Sequence, residues 1–326
     1  MVEKSMNILV TGVNGFIGRN FIYRLRKINH GYNLLGLDKD INIVELKNIN
    51  EHIELFKINL LDFKSLKDFL NSRDIDIVFH FAGLKYARQS DQDLSNFYKN
   101  NVVATKNLID VLAEKNIKKF IFSSSCSVYG PSDSTLSEDS RLNPISYYAK
   151  NKVECEKIIN DGLRNSNAII YILRYFNVVG SEKSIPELRD QSPFGLFSNI
   201  YNSISKGNKL DIFMASSKTK DGTCIRDYLD IRDLNLAHLK VLESETDVKE
   251  TGVNVYNLGS KNHHSSKEVV GFFAEVFDKS IEFELKPSFT NEPASSLASY
   301  HKFETNHSWT PKYSIKESIK TFSGQN

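Results

Sequence analysis

Near the middle of the chain, two side chains have types and a spacing suited to acid–base chemistry. Tyr148 precedes Lys152 by four residues, which places both on one face of a helix. Ser125 ends the preceding apolar run, 119–125. A tyrosine phenolate can take a proton from an alcohol while a hydride leaves the same carbon, with the serine donating to that oxygen. A lysine ammonium one turn away, together with a positively charged hydride acceptor such as a nicotinamide would be, is expected to stabilise this phenolate and lower the pKa of Tyr148.

The spacing alone is not specific, because Tyr23 and Lys27 repeat it earlier in the chain. That pair falls on the first helix of the nucleotide-binding half, where such residues usually form a solvated face. Tyr148 differs in its position. It follows a complete nucleotide-binding half, opens a helix after Pro144 and has a serine at the tip of the preceding strand.

A glycine loop near the N-terminus predicts a nucleotide site. Gly12, Gly15 and Gly18 separate the apolar run 7–11 from residues at helical spacing, which indicates strand, tight turn and helix. In that context a pyrophosphate can rest on the N-terminus of the helix. Asp38 closes the next apolar run, where a carboxylate accepts hydrogen bonds from ribose hydroxyls and repels a 2′-phosphate. The predicted cofactor is therefore NAD rather than NADP.

The elements that must position these residues alternate between strand and helix. Apolar runs at 53–58, 75–81, 120–122 and 168–174 are separated by helical stretches, the longest predicted over Asp91–Lys115. This alternation predicts an α/β fold with a Rossmann-type, doubly wound parallel sheet. Beyond Gly180 the apolar runs shorten, which indicates a smaller substrate-binding lobe over the carboxyl edge of the sheet. We predict a first domain over 1–178, with 224–250 returning to it, and a lobe over 179–326.

Composition excludes several classes of protein. A net charge of +2, with 40% hydrophobic and 25% charged residues, gives no basic surface for nucleic acid. Three widely spaced cysteines argue against disulfides and a zinc site, so no metal is expected. No signal peptide and no apolar run of about 20 residues is visible. We therefore expect a cytoplasmic enzyme that acts on a small molecule.

Seven further segments carry a resemblance that covers nearly the whole chain. They are 79–85 (FHFAGLK), 100–102 (NNV), 122–130 (FSSSCSVYG), 173–177 (LRYFN), 221–228 (DGTCIRDY), 255–259 (VYNLG) and 309–311 (WTP). Together with the glycine loop and the Ser…Tyr-x-x-x-Lys set, they resemble the extended short-chain dehydrogenase/reductase family. Within it, the chain is most similar to the UDP-sugar 4-epimerases.

The resemblance implies a role for each matching residue. The catalytic residues would be Ser125, Tyr148 and Lys152. The NAD contacts would be Gly12, Gly15, Phe16, Ile17, Gly18, Asp38, Asn59, Leu60, Phe81, Ala82, Gly83, Lys85, Asn100, Tyr148, Lys152 and Phe176. The UDP-sugar contacts would be Lys85, Ser125, Ser127, Tyr148, Asn177, Arg226 and Ser296.

Two departures from related enzymes bear on the reaction. Sugar-nucleotide dehydratases carry an Asp-Glu pair after the catalytic serine, whereas this chain has Cys126 and Ser127, which disfavours elimination. The epimerases usually hold the diphosphate with an Arg-x-Gly-Asp segment, and the matching stretch 287–294 contains no arginine. Lys286 is a candidate replacement. Ser296 would stand beside the C2 substituent of the sugar, where a small residue leaves room for an N-acetyl group.

The implied function is NAD-dependent 4-epimerisation of a UDP-hexose through a 4-keto intermediate, supplying sugars for surface polysaccharide or glycan synthesis. The substrates would be UDP-GlcNAc and UDP-GalNAc, UDP-Glc and UDP-Gal, or both pairs. Two alternatives stay open at this point: another NAD-dependent nucleotide-sugar modifier, of the decarboxylase or dehydratase type, and a non-catalytic NAD-sensing protein. The resemblance also implies a homodimer, formed through the helical stretch 91–115 and the Tyr148 helix.

Overall fold

The computed structural model describes residues 5–28, 31–85, 94–132, 134–217, 219–244, 252–288 and 293–324. Its strands are β1 (Asn7–Thr11), β2 (Asn33–Asp38), β3 (Glu54–Lys57), β4 (Ile77–His80), β5 (Lys119–Ser125), β6 (Ile169–Tyr175), β7 (Asn177–Val179), β8 (Leu210–Phe213), β9 (Ile225–Asp230), β10 (Gly252–Leu258), β11 (His263–Ser265), β12 (Phe283–Lys286) and β13 (Ser295–Ser296). Its α-helices are α1 (Phe16–Arg26), α2 (Ile43–Ile49), α3 (Phe63–Asn71), α4 (Leu94–Tyr98), α5 (Ala104–Leu112), α6 (Tyr147–Leu163), α7 (Leu196–Lys206), α8 (Ile231–Glu243), α9 (Ser266–Phe277), α10 (His301–His307) and α11 (Ile315–Ser323).

One seven-stranded sheet organises the first half of the chain. Its strand order is β10-β6-β5-β4-β1-β2-β3, and the pairs β1–β2, β1–β4, β2–β3 and β4–β5 are parallel. The order reverses direction at β1: β2 lies on one side of the β1–β4 pair and β5 on the other, so the chain leaves these two strands in opposite directions. In such sheets a ligand crevice opens at this reversal.

Helices cover both faces of this sheet. On one face, residues of α3, α5 and α6 form a buried core with every second residue of the strands, such as Leu9 and Val78. On the other face, the ring of Phe21 in α1 lies 4.4 Å from that of Phe79. Neighbouring strand residues point to opposite faces of the sheet, so Val78 packs on one face and Phe79 on the other. Strands buried on both sides explain the continuous apolar runs in the sequence.

The predicted long helix over Asp91–Lys115 is interrupted. Residues 91–93 lie outside the described part of the chain; from Leu94 onward, α4 gives way to a π-helical turn at Lys99–Val103, followed by α5, which ends at Leu112. A π-helical turn inserts a residue into the helix and often marks a functional position. The apolar spacing continues through the π-helical turn, so the interruption could not be predicted from the sequence.

A second group of elements has its own core. β9 pairs with β7, β11 and β13, and β8 pairs with β12. Residues of α7, α9 and α11 pack with β8 and β9, and the rings of Phe197 and Phe273 meet edge to face at 5.1 Å. This core gives the C-terminal half a scaffold of its own for side chains on β7, β9 and β13.

The chain divides into two compact units, each assembled from separate stretches. The first contains Met1–Val128, Ser146–Leu173 and Ser244–Val255, and the second contains the remaining segments, 129–145, 174–243 and 256–326. The predicted domains, 1–178 with 224–250 and 179–326, stay a prediction, because a compact unit need not be a domain that folds independently. No helix in the described residues is long and apolar enough to cross a membrane.

Candidate active site

The glycine loop forms a tight turn between β1 and α1. Gly12 has a φ of 73°, and a Cβ added there would lie 2.5 Å from the backbone nitrogen of Ala82. Gly15 caps α1 without a side chain, and the first turn of the helix carries no acidic residue. The first amide groups of α1 are thus left for an anion, since helix N-terminal N–H groups have no partner within the helix.

Asp38, at the end of β2, stabilises this turn through hydrogen bonds. Its carboxylate oxygens accept hydrogen bonds from the backbone N–H groups of Asn14, at 3.0 Å, and Asp40, at 3.3 Å. Burial raises the pKa of Asp38, and these backbone hydrogen bonds oppose the rise. Asp38 therefore shapes the loop, and its remaining lone pairs face a cleft.

That cleft runs along the carboxyl ends of the first four strands. Its lining includes nine of the predicted cofactor residues: Gly12, Gly15, Asp38, Asn59, Leu60, Phe81, Ala82, Gly83 and Asn100. The cleft is also lined by Leu84, from the segment 79–85, and by six residues that were not predicted: Asn14, Leu37, Lys39, Asp40, Ile58 and Ala104. Three features of this cleft fit a dinucleotide. They are the uncapped amides of α1, the glycine loop, where an added Cβ would occupy the space, and the acid at the end of β2.

The other predicted cofactor residues take different places. Phe16, Ile17 and Gly18 form the first turn of α1, and Gly18 is buried beneath the loop. Lys85 is exposed, two residues after Gly83. Phe176 belongs to the second unit, where it is buried and its N–H donates to the carbonyl of Leu258.

Ser125 and Tyr148 meet at the end of β5. Ser146 caps the N-terminus of α6, accepting from the N–H of Ala149 at 3.1 Å, so that Tyr148 falls in the first turn. The side chain of Ser125 acts on the phenol of Tyr148 and lowers its pKa, which opposes the effect of burial. Ser127 donates to the Ser125 hydroxyl oxygen at 3.0 Å through Oγ and 3.2 Å through its N–H. Because Ser125 accepts both of these hydrogen bonds, its own hydroxyl proton can be donated to the phenolic oxygen of Tyr148.

Lys152 lies one turn farther along α6 and is buried. Its ammonium donates to the carbonyl of Ser123 at 2.7 Å and lies 4.7 Å from the ring centre of Phe122 and 5.7 Å from that of Tyr148. A Cβ placed on Gly83 would be 3.8 Å from its nitrogen. Burial lowers the pKa of Lys152. The structure therefore brings together all three predicted catalytic residues.

The expected low pKa of Tyr148 is not what the structure shows. Burial is the largest influence and raises the pKa of this phenol above its ordinary value, and the side chain of Ser125 only opposes the rise. The prediction counted two positive charges, the ammonium of Lys152 and the nicotinamide, but not the loss of water around the hydroxyl. Desolvation disfavours a phenolate, so further positive charge is needed before Tyr148 can act as a base.

Asn101, which the sequence analysis overlooked, fastens the loop beside Lys152. From the π-helical turn, its Oδ1 accepts from the N–H of Leu84 at 2.7 Å and its Nδ2 donates to the carbonyl of Leu84 at 3.2 Å. Thr105 donates to the carbonyl of Asn101 at 2.6 Å and, at 2.9 Å, contacts the buried ring of His80. Burial, aided by the charge of Lys152, lowers the pKa of His80 to about 3, so its ring is neutral. The one available signal was the paired asparagines at 100 and 101.

Residues 8–259 match the NAD dependent epimerase/dehydratase family. The chain belongs to this family. It is 31% identical to the UDP-glucose 4-epimerase of Pisum sativum, over 97% of this chain and 94% of the pea protein. The predicted family and its NAD cofactor are thereby confirmed.

Solved structures of the same family share the fold. The UDP-glucose 4-epimerase of Bifidobacterium longum, in complex with NAD+ and UDP, superposes with a TM-score of 0.87 and 27% identity over 98% of both chains. The UDP-Glc/GlcNAc 4-epimerase of Campylobacter jejuni has a TM-score of 0.81 and 30% identity, again over 98% of both chains. The predicted Rossmann-type fold is confirmed.

In this epimerase-family chain, the second unit gathers three predicted substrate residues on neighbouring strands. Asn177 opens β7 and pairs with Tyr228 of β9, while Arg226 of β9 pairs with Ser296 of β13. Arg226 donates to the carbonyls of Ile225, at 2.9 Å, and residue 294, at 3.4 Å. Ser296 is buried, and its place beside the C2 substituent of the sugar stays a prediction.

The segment that lacks the usual arginine falls partly outside the described residues, since 289–292 are not among them. Lys286, the candidate replacement, lies on β12 with its ammonium 2.5 Å from Glu284 and 3.9 Å from Asp211. Its charge is thus already matched by carboxylates. Within the described ranges, no group of three or more His, Cys, Asp or Glu side chains could hold a metal ion.

Proposed function

We propose that this chain is an NAD-dependent 4-epimerase of UDP-hexoses. The observation that carries the proposal is Tyr148 in the first turn of α6, beside Ser125, with buried Lys152 one turn farther along the same helix face. This arrangement suits the reversible oxidation of a secondary alcohol. It combines a tyrosine that can exchange a proton, a serine hydroxyl that can donate a hydrogen bond and a fixed ammonium, all at the edge of a dinucleotide cleft. The similarity to 4-epimerases supports position 4 of the sugar as the reacting carbon.

Each catalytic side chain has a definite part in this reaction. Tyr148, as phenolate, takes the proton of the C4 hydroxyl, and Ser125 donates to the same oxygen as it becomes a carbonyl. Lys152 supplies positive charge against the burial that raises the pKa of Tyr148. The chemistry that bound NAD supplies is removal of the C4 hydride and its return to the opposite face of the 4-keto sugar. Tyr148 then gives the proton back to the alkoxide, which completes inversion.

The cofactor would be held by the cleft and by the first turn of α1. The amides after Gly15 would face the pyrophosphate, Asp38 the adenosine ribose, and Asn59 with Leu60 the region of the adenine. Polar contacts toward the nicotinamide end of the cofactor would come from Lys85, Asn100, Tyr148 and Lys152. The residues that pack against the cofactor would be Phe81, Ala82, Gly83 and Phe176. These assignments follow from the resemblance and from the cleft lining.

The substrate would be a UDP-sugar held by Asn177 and Arg226, with Lys85 and Ser127 near the reacting end. We propose that the N-acetylated pair, UDP-GlcNAc and UDP-GalNAc, is accepted along with UDP-Glc and UDP-Gal. The small side chain at Ser296 supports this choice, as does the similarity to an epimerase that acts on both kinds of sugar. The cytoplasmic location and the role in polysaccharide or glycan synthesis stay predictions.

An epimerase must convert its substrate without accumulating reduced cofactor, because the same hydride returns in every cycle. We expect the purified protein to retain NAD and to interconvert 4-epimers with no added cofactor. The measurement follows both the sugar product, by chromatography, and the near-ultraviolet absorbance of NADH. UDP-Glc, UDP-GlcNAc, UDP-glucuronic acid and UDP-arabinose form the test panel.

The outcomes of this experiment separate the candidate functions. Steady growth of NADH absorbance would indicate a dehydrogenase, and release of carbon dioxide from UDP-glucuronic acid would indicate a decarboxylase. Bound NAD without turnover of any UDP-sugar would favour a non-catalytic NAD-binding protein. Turnover of UDP-Glc with none of UDP-GlcNAc would refute the proposed sugar range alone.

We also propose that the chain forms a homodimer through α4, α5 and α6. Two exposed aromatic residues support this surface, Tyr98 at 43% and Tyr147 at 54% exposure. Tyr98 also donates to Glu154 of α6 at 2.8 Å, which joins the two helices across one surface. Light scattering should give about twice the chain mass of 37.2 kDa.

A paired substitution tests which surface is responsible. Tyr98→Asp places a second carboxylate beside Glu154 and should shift the protein to the monomer mass, because like charges in a buried interface are costly. Phe63→Asp is the matched control, since Phe63 on α3 is similarly exposed at 41%. A monomeric wild type, or equal dissociation in both variants, would contradict the proposed interface.

A further inference from the structure

The catalytic face of α6 carries a third polar residue that no part of the proposed mechanism uses. Glu156 lies four positions after Lys152 and is 7% exposed. Its Oε1 accepts a hydrogen bond from the hydroxyl of Ser124 at 2.5 Å, and Ser124 is itself 2% exposed. Burying a carboxylate this deeply costs free energy unless the carboxylate has a partner, and here the partner is the hydroxyl of Ser124.

Its placement continues a regular pattern between α6 and β5. Tyr148, Lys152 and Glu156 follow one another at intervals of four residues, so their side chains form a row on one face of the helix. Each meets a different serine at the end of β5: Tyr148 lies beside Ser125, Lys152 donates to the carbonyl of Ser123, and Glu156 accepts from Ser124. The Glu156 contact thus sets the register of the helix against the strand that carries Ser125.

The same row determines the charge around Lys152. Its titratable neighbours are Tyr148, Cys155 and Glu156 on α6, and His80 on β4. His80 is neutral, as its pKa of about 3 requires. Cys155 donates its thiol proton to the carbonyl of residue 101 at 3.4 Å, and burial raises its pKa, so it too is neutral. Among these described neighbours, Glu156 is the one carboxyl group, and it acts to raise the pKa of Lys152.

Burial works against a charged Lys152. It lowers the pKa of the ammonium, whereas Cys155 and Glu156 act in the opposite direction. Cys155 can do so only after losing its proton, which leaves Glu156 as the opposing charge at neutral pH. Helix residues four apart are neighbours, with β-carbons about 5–6 Å apart, which is close enough for a substantial effect in a low-dielectric setting.

We propose that Glu156 is a positioning residue of the catalytic helix, which holds α6 in register on β5 through Ser124 and supplies the negative charge that keeps Lys152 protonated. The inference rests on the proposed function for its catalytic consequence, because a charged Lys152 matters only if Tyr148 acts as the base. Its structural part concerns the state of Lys152 itself, which can be measured without turnover.

Glu156→Gln removes the charge and keeps an oxygen that can accept from Ser124. The titration of Lys152 is followed by NMR of the holoenzyme labelled with lysine at the ε-carbon, with the resonance assigned through Lys152→Met. We expect the midpoint to fall by about 1 pH unit, the usual effect of losing one close opposite charge. The alkaline limb of the kcat–pH profile should move to lower pH by the same amount.

Two further variants isolate the cause. Glu154→Gln makes the same change on the outer side of α6 and should leave the midpoint of Lys152 in place. Ser124→Ala removes the hydrogen bond but keeps the carboxylate, so it should lower kcat while leaving the midpoint near the wild-type value. Ser124→Ala also serves as the test if Glu156→Gln does not fold, since a large fall of the midpoint there would contradict the proposed role of the charge.

An unchanged Lys152 midpoint in folded Glu156→Gln would overturn the inference, as would an equal shift in Glu154→Gln. These results are distinct from failure of the proposed function. If the midpoint moves as expected but the wild type converts no UDP-sugar, the assignment to Glu156 stands and the proposed reaction is wrong.

Discussion

Replacing Tyr148 with phenylalanine should lower kcat for UDP-hexose epimerisation by about 10²–10⁴-fold, the range that general-base catalysis commonly supplies. The substitution removes one hydroxyl and leaves the ring that lies 5.7 Å from the ammonium of Lys152. We therefore expect the fold and the NAD content to stay as in the wild type. Steady-state kinetics, released NAD and the thermal unfolding midpoint are the three measurements.

Tyr23→Phe is the matched control, because Tyr23 and Lys27 have the same spacing and a similar contact, 4.9 Å from ammonium to ring centre. Tyr23 lies on α1, which follows β1, and β4 separates β1 from the β5 strand that carries the serines. Its variant should have wild-type kcat. Full activity in Tyr148→Phe, or an equal loss in Tyr23→Phe, would show that the reacting base lies elsewhere.

Gly18→Ala should weaken NAD binding by about 10- to 100-fold. In an ordinary helix this substitution is favourable by about 1 kcal/mol. At Gly18, however, the added Cβ would lie 2.4 Å from the carbonyl oxygen of Gly12 and 2.9 Å from the Cα of Val13, and backbone cannot rotate away as a side chain can. Overpacking of this kind costs about 1–3 kcal/mol, and each 1.4 kcal/mol lost from binding is about tenfold in affinity.

The measurement is the NAD dissociation constant, with the cofactor content of the purified protein as a second readout. Gly271→Ala is the control within another helix, α9, where an added Cβ meets nothing within 4 Å. There the helix preference should prevail, with unchanged NAD affinity and unfolding stability raised by about 0.5–1 kcal/mol. Wild-type NAD affinity in Gly18→Ala would mean that the loop can shift without disturbing the cofactor cradle.

The sequence by itself predicted those features that depend on short stretches of chain. The glycine loop follows from three glycines between a strand and a helix, and the shared face of Tyr148 and Lys152 follows from helical spacing alone. The parallel sheet followed from the alternation of apolar runs with helices. These signals are local, because backbone stereochemistry and side-chain periodicity act over a few residues.

The tertiary structure decided what depends on contacts between distant segments. Packing removes water from the hydroxyl of Tyr148 and raises its pKa, an effect that the prediction from Lys152 and the nicotinamide left out. Asn101 and Glu156 went unnoticed since their partners, Leu84 and Ser124, lie 17 and 32 residues away. Desolvation and hydrogen bonds across such separations exist only once strands and helices have packed, so no local pattern of residue types could have displayed them.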